Sequence, residues 1–136
     1  MSKKVLFVCL GNICRSPIAE AVFLDLIKQR GVQDKWEADS AALGGWHEGN
    51  LPDQRAMATL RKHNISYSNR ARQIDEIDYN TFDYIFGMDE NNISNLKRDA
   101  PEDAKGKIML LGDLDPEGDR IIRDPYYVSV IITREI

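Results

Sequence analysis

The stretch Val5-Leu6-Phe7-Val8-Cys9-Leu10-Gly11-Asn12-Ile13-Cys14-Arg15-Ser16-Pro17 places an apolar run, a small polar loop and a helix start in direct succession. Four consecutive apolar residues before Cys9 predict a strand buried on both faces of a parallel sheet. From Pro17 to Arg30, Ile18, Ala19, Val22, Phe23, Leu26 and Ile27 recur on one broad helical face. Ser16 is the expected N-cap, Pro17 fits the first turn, and Gly31 is a natural stop. The loop between them therefore leaves a strand at its carboxyl end and meets the free N–H groups of a helix. That arrangement suits a tetrahedral oxyanion, with the Cys9 thiol beneath it and the Arg15 guanidinium beside it. Phosphate is the expected anion.

Outward from this loop the same alternation continues. Trp36 to Ala42 is a second strand candidate, ending in the Gly-rich run Leu43-Gly44-Gly45-Trp46-His47-Glu48-Gly49-Asn50. Pro52 and Asp53 open a helix carrying Ala56, Met57 and Leu60, with Asn64 at its end. Tyr84 to Phe86 reads as a strand, Glu90 to Arg98 as a helix, and Ile108 to Leu111 as a fourth strand. Strands alternating with helices predict an α/β fold: a parallel sheet covered on both faces. Ligands of such sheets bind at the carboxyl ends of the strands, where the Cys9 loop would lie.

The 136 residues suit one domain. A net charge of −4 argues against nonspecific binding to nucleic acid or to anionic membranes. No apolar run reaches transmembrane length and no signal peptide is evident, so a cytoplasmic protein is expected. The two cysteines, Cys9 and Cys14, sit together in the loop and form no disulfide framework, which favours a reactive thiol in a reducing compartment.

Each loop residue has a chemical use. A thiolate is the nucleophile, and helix N-termini and neighbouring cations favour it over the thiol. Gly11 lets backbone approach the anion, and Asn12 tolerates a left-handed turn. Arg15 offers a planar fork matching two phosphoryl oxygens, which lysine does not copy. Ser16 can donate its hydroxyl to the sulfur. The bland reading is a buried structural Cys9 with Arg15 as a solvated residue, and the company of Gly, Asn, Ser and Pro weighs against it. Cys14 is either a small loop hydrophobe or a resolving thiol that protects Cys9 by a reversible disulfide. A second constellation, Arg123-Asp124-Pro125-Tyr126-Tyr127, supplies Asp124 as a proton donor for a departing ester oxygen and two tyrosines as aromatic walls.

These two motifs resemble those of the low-molecular-weight protein tyrosine phosphatases. The likeness runs through Asp39-Ser40-Ala41-Ala42, Ala71-Arg72-Gln73-Ile74, Phe82-Asp83-Tyr84-Ile85 and Met88-Asp89-Glu90. It implies a small Rossmann-like domain over residues 1–127 with a four-stranded parallel sheet, in a three-layer α/β/α arrangement. It further implies that Cys9 attacks phosphorus, that Arg15 binds the phosphoryl oxygens, and that Asp124 protonates the leaving phenolate. The whole loop, Leu10, Gly11, Asn12, Ile13, Cys14, Arg15 and Ser16, would hold the phosphate, with no metal or other cofactor. Ser40 would belong to the network holding Asn12, beside Asn69 where the family often has histidine. Trp46, Tyr126 and Tyr127 match the aromatic rim; taken alone, Trp46 could equally be core. The two tyrosines also match positions that are themselves phosphorylated in family members. Phosphotyrosine proteins and small aryl phosphates are the expected substrates, and inorganic phosphate the product.

One departure stands out. Where the family continues into a long helix, residues 128–136 read Val-Ser-Val-Ile-Ile-Thr-Arg-Glu-Ile, β-branched and apolar. A truncated or alternatively spliced end of lower stability and activity is the expectation. Three rival functions follow from the same loop: an arsenate reductase, which needs further redox cysteines where this chain has none after Cys14; a protein-arginine phosphatase, which typically carries Thr in place of Ile13; and a phosphate-binding protein without turnover.

Overall fold

Val5 to Cys9 are all buried, which makes β1 (Lys3–Cys9) an interior strand, as the apolar run predicts. The computed structural model describes residues 2–12 and 15–114. β1 pairs in parallel with β2 (Trp36–Ala42) on one side, from Lys3 opposite Trp36 to Cys9 opposite Ala42. On its other side it pairs with β3 (Tyr84–Gly87), and β4 (Lys107–Leu110) completes a four-stranded parallel sheet in the order β2-β1-β3-β4. The expected α/β fold is the one this chain adopts.

Side chains alternate across β1 and so feed two cores. Val5, Phe7 and Cys9 pack with Ala19, Phe23 and Ile27 of α1 (Arg15–Gln29), whereas Leu6 and Val8 pack with Tyr79 and Leu96 on the opposite face. Phe7 lies 5.7 Å from Phe23 and 5.9 Å from Phe86 between ring centroids, an arrangement worth about 0.5–1.5 kcal/mol per pair beyond area burial. α2 (Gln54–Lys62) lies outside α1, with Ala56 and Leu60 against Ile18, Ala21 and Val22. The opposite face is covered by α3 (Asp78–Thr81) and α4 (Glu90–Asp99), which carry Tyr79 and Leu96 respectively. The connection from β2 to β3 passes over β1, so the chain reverses direction across the sheet between β1 and β3. A crevice opens there beyond the strand ends.

Several boundaries differ from the expectations. α1 begins at Arg15, so Ser16 is a fully buried residue of its first turn and not its N-cap. Leu111 leaves the strand for a 3-10 turn, Leu111–Leu114. α3 has only four residues, too few for any periodic signal. Asp53 caps α2 by accepting from Arg55 N–H, Gly31 turns with φ 69° after α1, and Asn64 takes φ 60° beyond α2. Ile13, Cys14, Asp124, Tyr126, Tyr127 and residues 128–136 lie outside the described residues.

Candidate active site

Cys9 ends β1 and is only 4% exposed, its thiol facing the first turn of α1. Its Sγ lies 2.9 Å from Ser16 Oγ and accepts the Asn12 backbone N–H at 3.3 Å. The Asn12 N–H donates to the sulfur, and the Ser16 hydroxyl lies within hydrogen-bond reach of it, where either group can donate. The chain makes this turn through Asn12, whose φ is 56°. For an L-residue that conformation is costly, and asparagine bears it better than most by bonding locally. Here the side chain does so at both ends: Asn12 Nδ2 donates to Ser16 Oγ at 2.8 Å, and Asn12 Oδ1 accepts from Arg72 N–H at 3.1 Å.

Arg15, the first residue of α1, reaches across the crevice toward β3. Its Nη2 donates to Asp89 Oδ2 at 2.9 Å, with the two side chains 28% and 27% exposed. Asp89 is itself fixed as the N-cap of α4. Its Oδ1 accepts from Asn92 N–H at 2.8 Å, and Asn92 Oδ1 accepts from the N–H groups of Met88 and Asp89. The guanidinium thus leans on a rigid corner at the carboxyl end of β3. A Cβ at Gly87 would sit 2.8 Å from Ile93 Cδ1 and 3.0 Å from Asn92 Cβ, so any side chain there would press on the first turn of α4.

Ser40 and Asn69 meet at the Glu20 carboxylate. Among the described residues the Ser40 hydroxyl bonds Glu20 Oε1 at 2.6 Å and approaches Tyr67 Oη at 3.4 Å, whereas Asn12 is held by Ser16 and Arg72. Glu20, one turn along α1 from Ser16, is completely buried. It also accepts from Tyr67 Oη at 2.7 Å and from Asn69 Nδ2 at 2.6 Å. Burial pushes its carboxyl above the ordinary glutamate range, outweighing these three neutral donors. The Tyr67 hydroxyl is raised too, by its own burial and then by the Glu20 charge.

The Gly-rich run after β2 borders the loop. Leu43 and Gly44 donate their N–H groups to the carbonyls of Cys9 and Leu10 at 3.0 and 3.1 Å. Trp46 folds its ring over Gly44, where a Cβ would come within 2.0 Å of it, yet remains 71% exposed. It is therefore a surface aromatic and not core. Leu10 is 54% exposed at the same rim. The structure thus brings Cys9, Leu10, Asn12, Arg15, Ser16 and Trp46 to one end of the sheet.

Three residues were given no role in the reading of the sequence, although Arg72 and Asp89 lie in stretches that carry the family likeness. Asp89 had a usable signal, an acidic N-cap at the carboxyl end of a strand beside the switch point. Arg72 and Glu20 had no local signal: an arginine in a loop and a glutamate within a helix both read as solvated.

A model of the family described as low molecular weight phosphotyrosine protein phosphatase matches residues 4–136. Low molecular weight phosphotyrosine protein phosphatase 1 of Drosophila melanogaster is 54% identical over 128 residues, 93% of this chain and 82% of that one. Among solved structures, Primo-1 superposes with a TM-score of 0.85 at 48% identity, covering 97% of this chain and 90% of that one. The Drosophila arginine phosphatase DARP superposes with a TM-score of 0.84 at 37% identity, covering 95% and 90%.

Proposed function

Because the chain belongs to the low molecular weight phosphotyrosine protein phosphatase family, we propose that it hydrolyses phosphotyrosine and small aryl phosphates through a cysteinyl-phosphate. The observation that carries this reading is the Cys9 sulfur, set at a strand end with Asn12 N–H and Ser16 Oγ directed at it. In the first step the Cys9 thiolate attacks phosphorus and the bond to the aryl oxygen breaks. Asp124 gives its proton to the departing phenolate. In the second step the Asp124 carboxylate takes a proton from water, the water oxygen attacks phosphorus, and the sulfur–phosphorus bond breaks. Ser16 supports the thiolate as it leaves, and phosphate departs.

In this reading, charge on the transferring group is met by the Arg15 guanidinium and by loop N–H groups, of which that of Asn12 already points at the Cys9 sulfur. Leu10 to Ser16 form the cradle in this proposal. Trp46, Tyr126 and Tyr127 would flank the phenyl ring, and Cys14 would guard Cys9 against over-oxidation. The partners are phosphotyrosine-bearing proteins, met in the cytoplasm, where a nucleophilic thiol stays reduced. No helix of the described residues is long and apolar enough to cross a membrane.

The likeness to DARP makes phosphoarginine the substrate to compare. Turnover of p-nitrophenyl phosphate, a phosphotyrosine peptide and free phosphoarginine is measured side by side. Hydrolysis of the first two with little of the third is the expected result. Turnover of phosphoarginine alone, or phosphate binding without any turnover, would overturn the reading.

A further inference from the structure

We propose that Arg72 is a positioning residue of the phosphate loop: its guanidinium, clamped between Asp39 and Asp78, fixes the peptide N–H that holds Asn12 in its left-handed turn. Arg72 Nε donates to Asp39 Oδ2 at 3.1 Å, while Nη1 and Nη2 donate to the two oxygens of Asp78 at 2.9 and 3.2 Å. The pairing with Asp78 is two-pronged, a geometry only arginine provides. Asp78 is buried at the start of α3 and is itself held, accepting from Asp75 N–H at 2.7 Å. Burial alone would lower the basicity of Arg72, but the bonds to Asp78 and the charge of Asp39 more than offset it, so the clamp stays ionic.

The backbone of Arg72 is gripped as firmly as its side chain. Its carbonyl accepts from Ala42 N–H at 2.7 Å, and Ile74 N–H donates to the Ala42 carbonyl at 2.7 Å, which adds residues 72–74 to the exposed edge of β2. Ala42 lies directly opposite Cys9 in the sheet. The Arg72 peptide is therefore fixed on the sheet edge beside the nucleophile, and its remaining donor points to Asn12 Oδ1. Without that donor, Asn12 loses one of the two bonds that offset its positive φ, and its own N–H loses its aim at the Cys9 sulfur. The four-residue α3 has a use in this arrangement, since it delivers Asp78 to the clamp.

The proposal rests on the reading of this loop as the phosphate cradle. Asp78→Asn keeps the size of the side chain but removes the two-pronged ion pair; Arg72→Lys and Asp39→Asn weaken the clamp independently, should the first variant fold poorly. The measurements are the dissociation constant of inorganic phosphate, kcat/KM on p-nitrophenyl phosphate, and the thermal midpoint. We expect phosphate binding and kcat/KM each to weaken by roughly tenfold, within the hundredfold that a misplacement of about 1 Å can cause. In an Asn12→Ala background the same substitutions should add nothing, because the route through Asn12 is already cut. Unchanged constants with a lowered midpoint, or losses that add in full to that of Asn12→Ala, would overturn the clamp. A protein that binds phosphate but does not turn over aryl phosphate would defeat the functional reading alone, with the phosphate constants still deciding the clamp. A wild-type chain that binds no phosphate would defeat both.

Discussion

Asp89 serves two elements at once, and two substitutions separate its roles. One oxygen caps α4 through Asn92 N–H, and the other receives Arg15 Nη2 at 2.9 Å. Asparagine is as good an N-cap as aspartate, so Asp89→Asn keeps the cap by turning its oxygen to Asn92. Its amide nitrogen then faces the guanidinium, donor against donor, and Arg15 loses its anchor. Asp89→Ala loses both. The cap is worth about 1 kcal/mol. A hydrogen bond between charged groups is worth roughly 1.5–3 kcal/mol, and with a quarter of each side chain exposed the lower end applies. If that energy is what holds Arg15 in place for the transferring phosphoryl group, its loss should lower kcat/KM by about tenfold, since ~1.4 kcal/mol is a decade in rate. Steady-state kinetics on p-nitrophenyl phosphate and thermal melts of both variants provide the test. Both should lose turnover to a similar degree, with only Asp89→Ala melting several degrees lower. Wild-type kcat/KM in Asp89→Asn would show that Arg15 needs no anchor.

Glu20 gives a pH signature. Its carboxyl titrates above the ordinary glutamate value of 4.5 because burial disfavours the charge. Between the unfolded and folded values the native state holds the extra proton, so stability falls as pH rises through that window. Glu20→Gln should therefore be most disadvantaged relative to wild type at acid pH and catch up as pH rises, which melts from pH 4 to 8 would detect; a constant gap would refute it. Asp124→Ala should slow a phosphotyrosine peptide more than p-nitrophenyl phosphate, because nitrophenolate leaves with little protonation; equal losses would remove Asp124 as the donor. Mild peroxide should inactivate the wild type reversibly through a Cys9–Cys14 disulfide, and recovery with dithiothreitol should be poorer in Cys14→Ser. Full recovery in that variant would leave Cys14 a structural residue.

Much of the architecture was legible because it rests on short, strong patterns. The apolar run before Cys9 is an interior strand, Trp36–Ala42 is its neighbour, and Tyr84 and Glu90 open β3 and α4 where expected. Asn12 and Gly31 take the positive φ that their residue types favour. What escaped depended on partners far along the chain. Ser16 looks like an N-cap, but α1 begins one residue earlier and uses the hydroxyl for Cys9 and Asn12. Glu20 carries no mark of burial, since its partners Ser40, Tyr67 and Asn69 come from β2 and a later loop. Likewise, the bond from Arg72 to Asn12 spans sixty positions, beyond any local pattern. The nucleophile's loop was readable because its chemistry is local, and the supports beneath it were not.

The most direct test of the account is to trap the intermediate. Rapid acid quench during turnover of an aryl phosphate, followed by peptide mass analysis, should find one phosphoryl group on the peptide that carries Cys9. The label should be absent from Cys9→Ser, which should also lack turnover. Turnover with no phosphoryl group on Cys9, or continued turnover in Cys9→Ser, would contradict it.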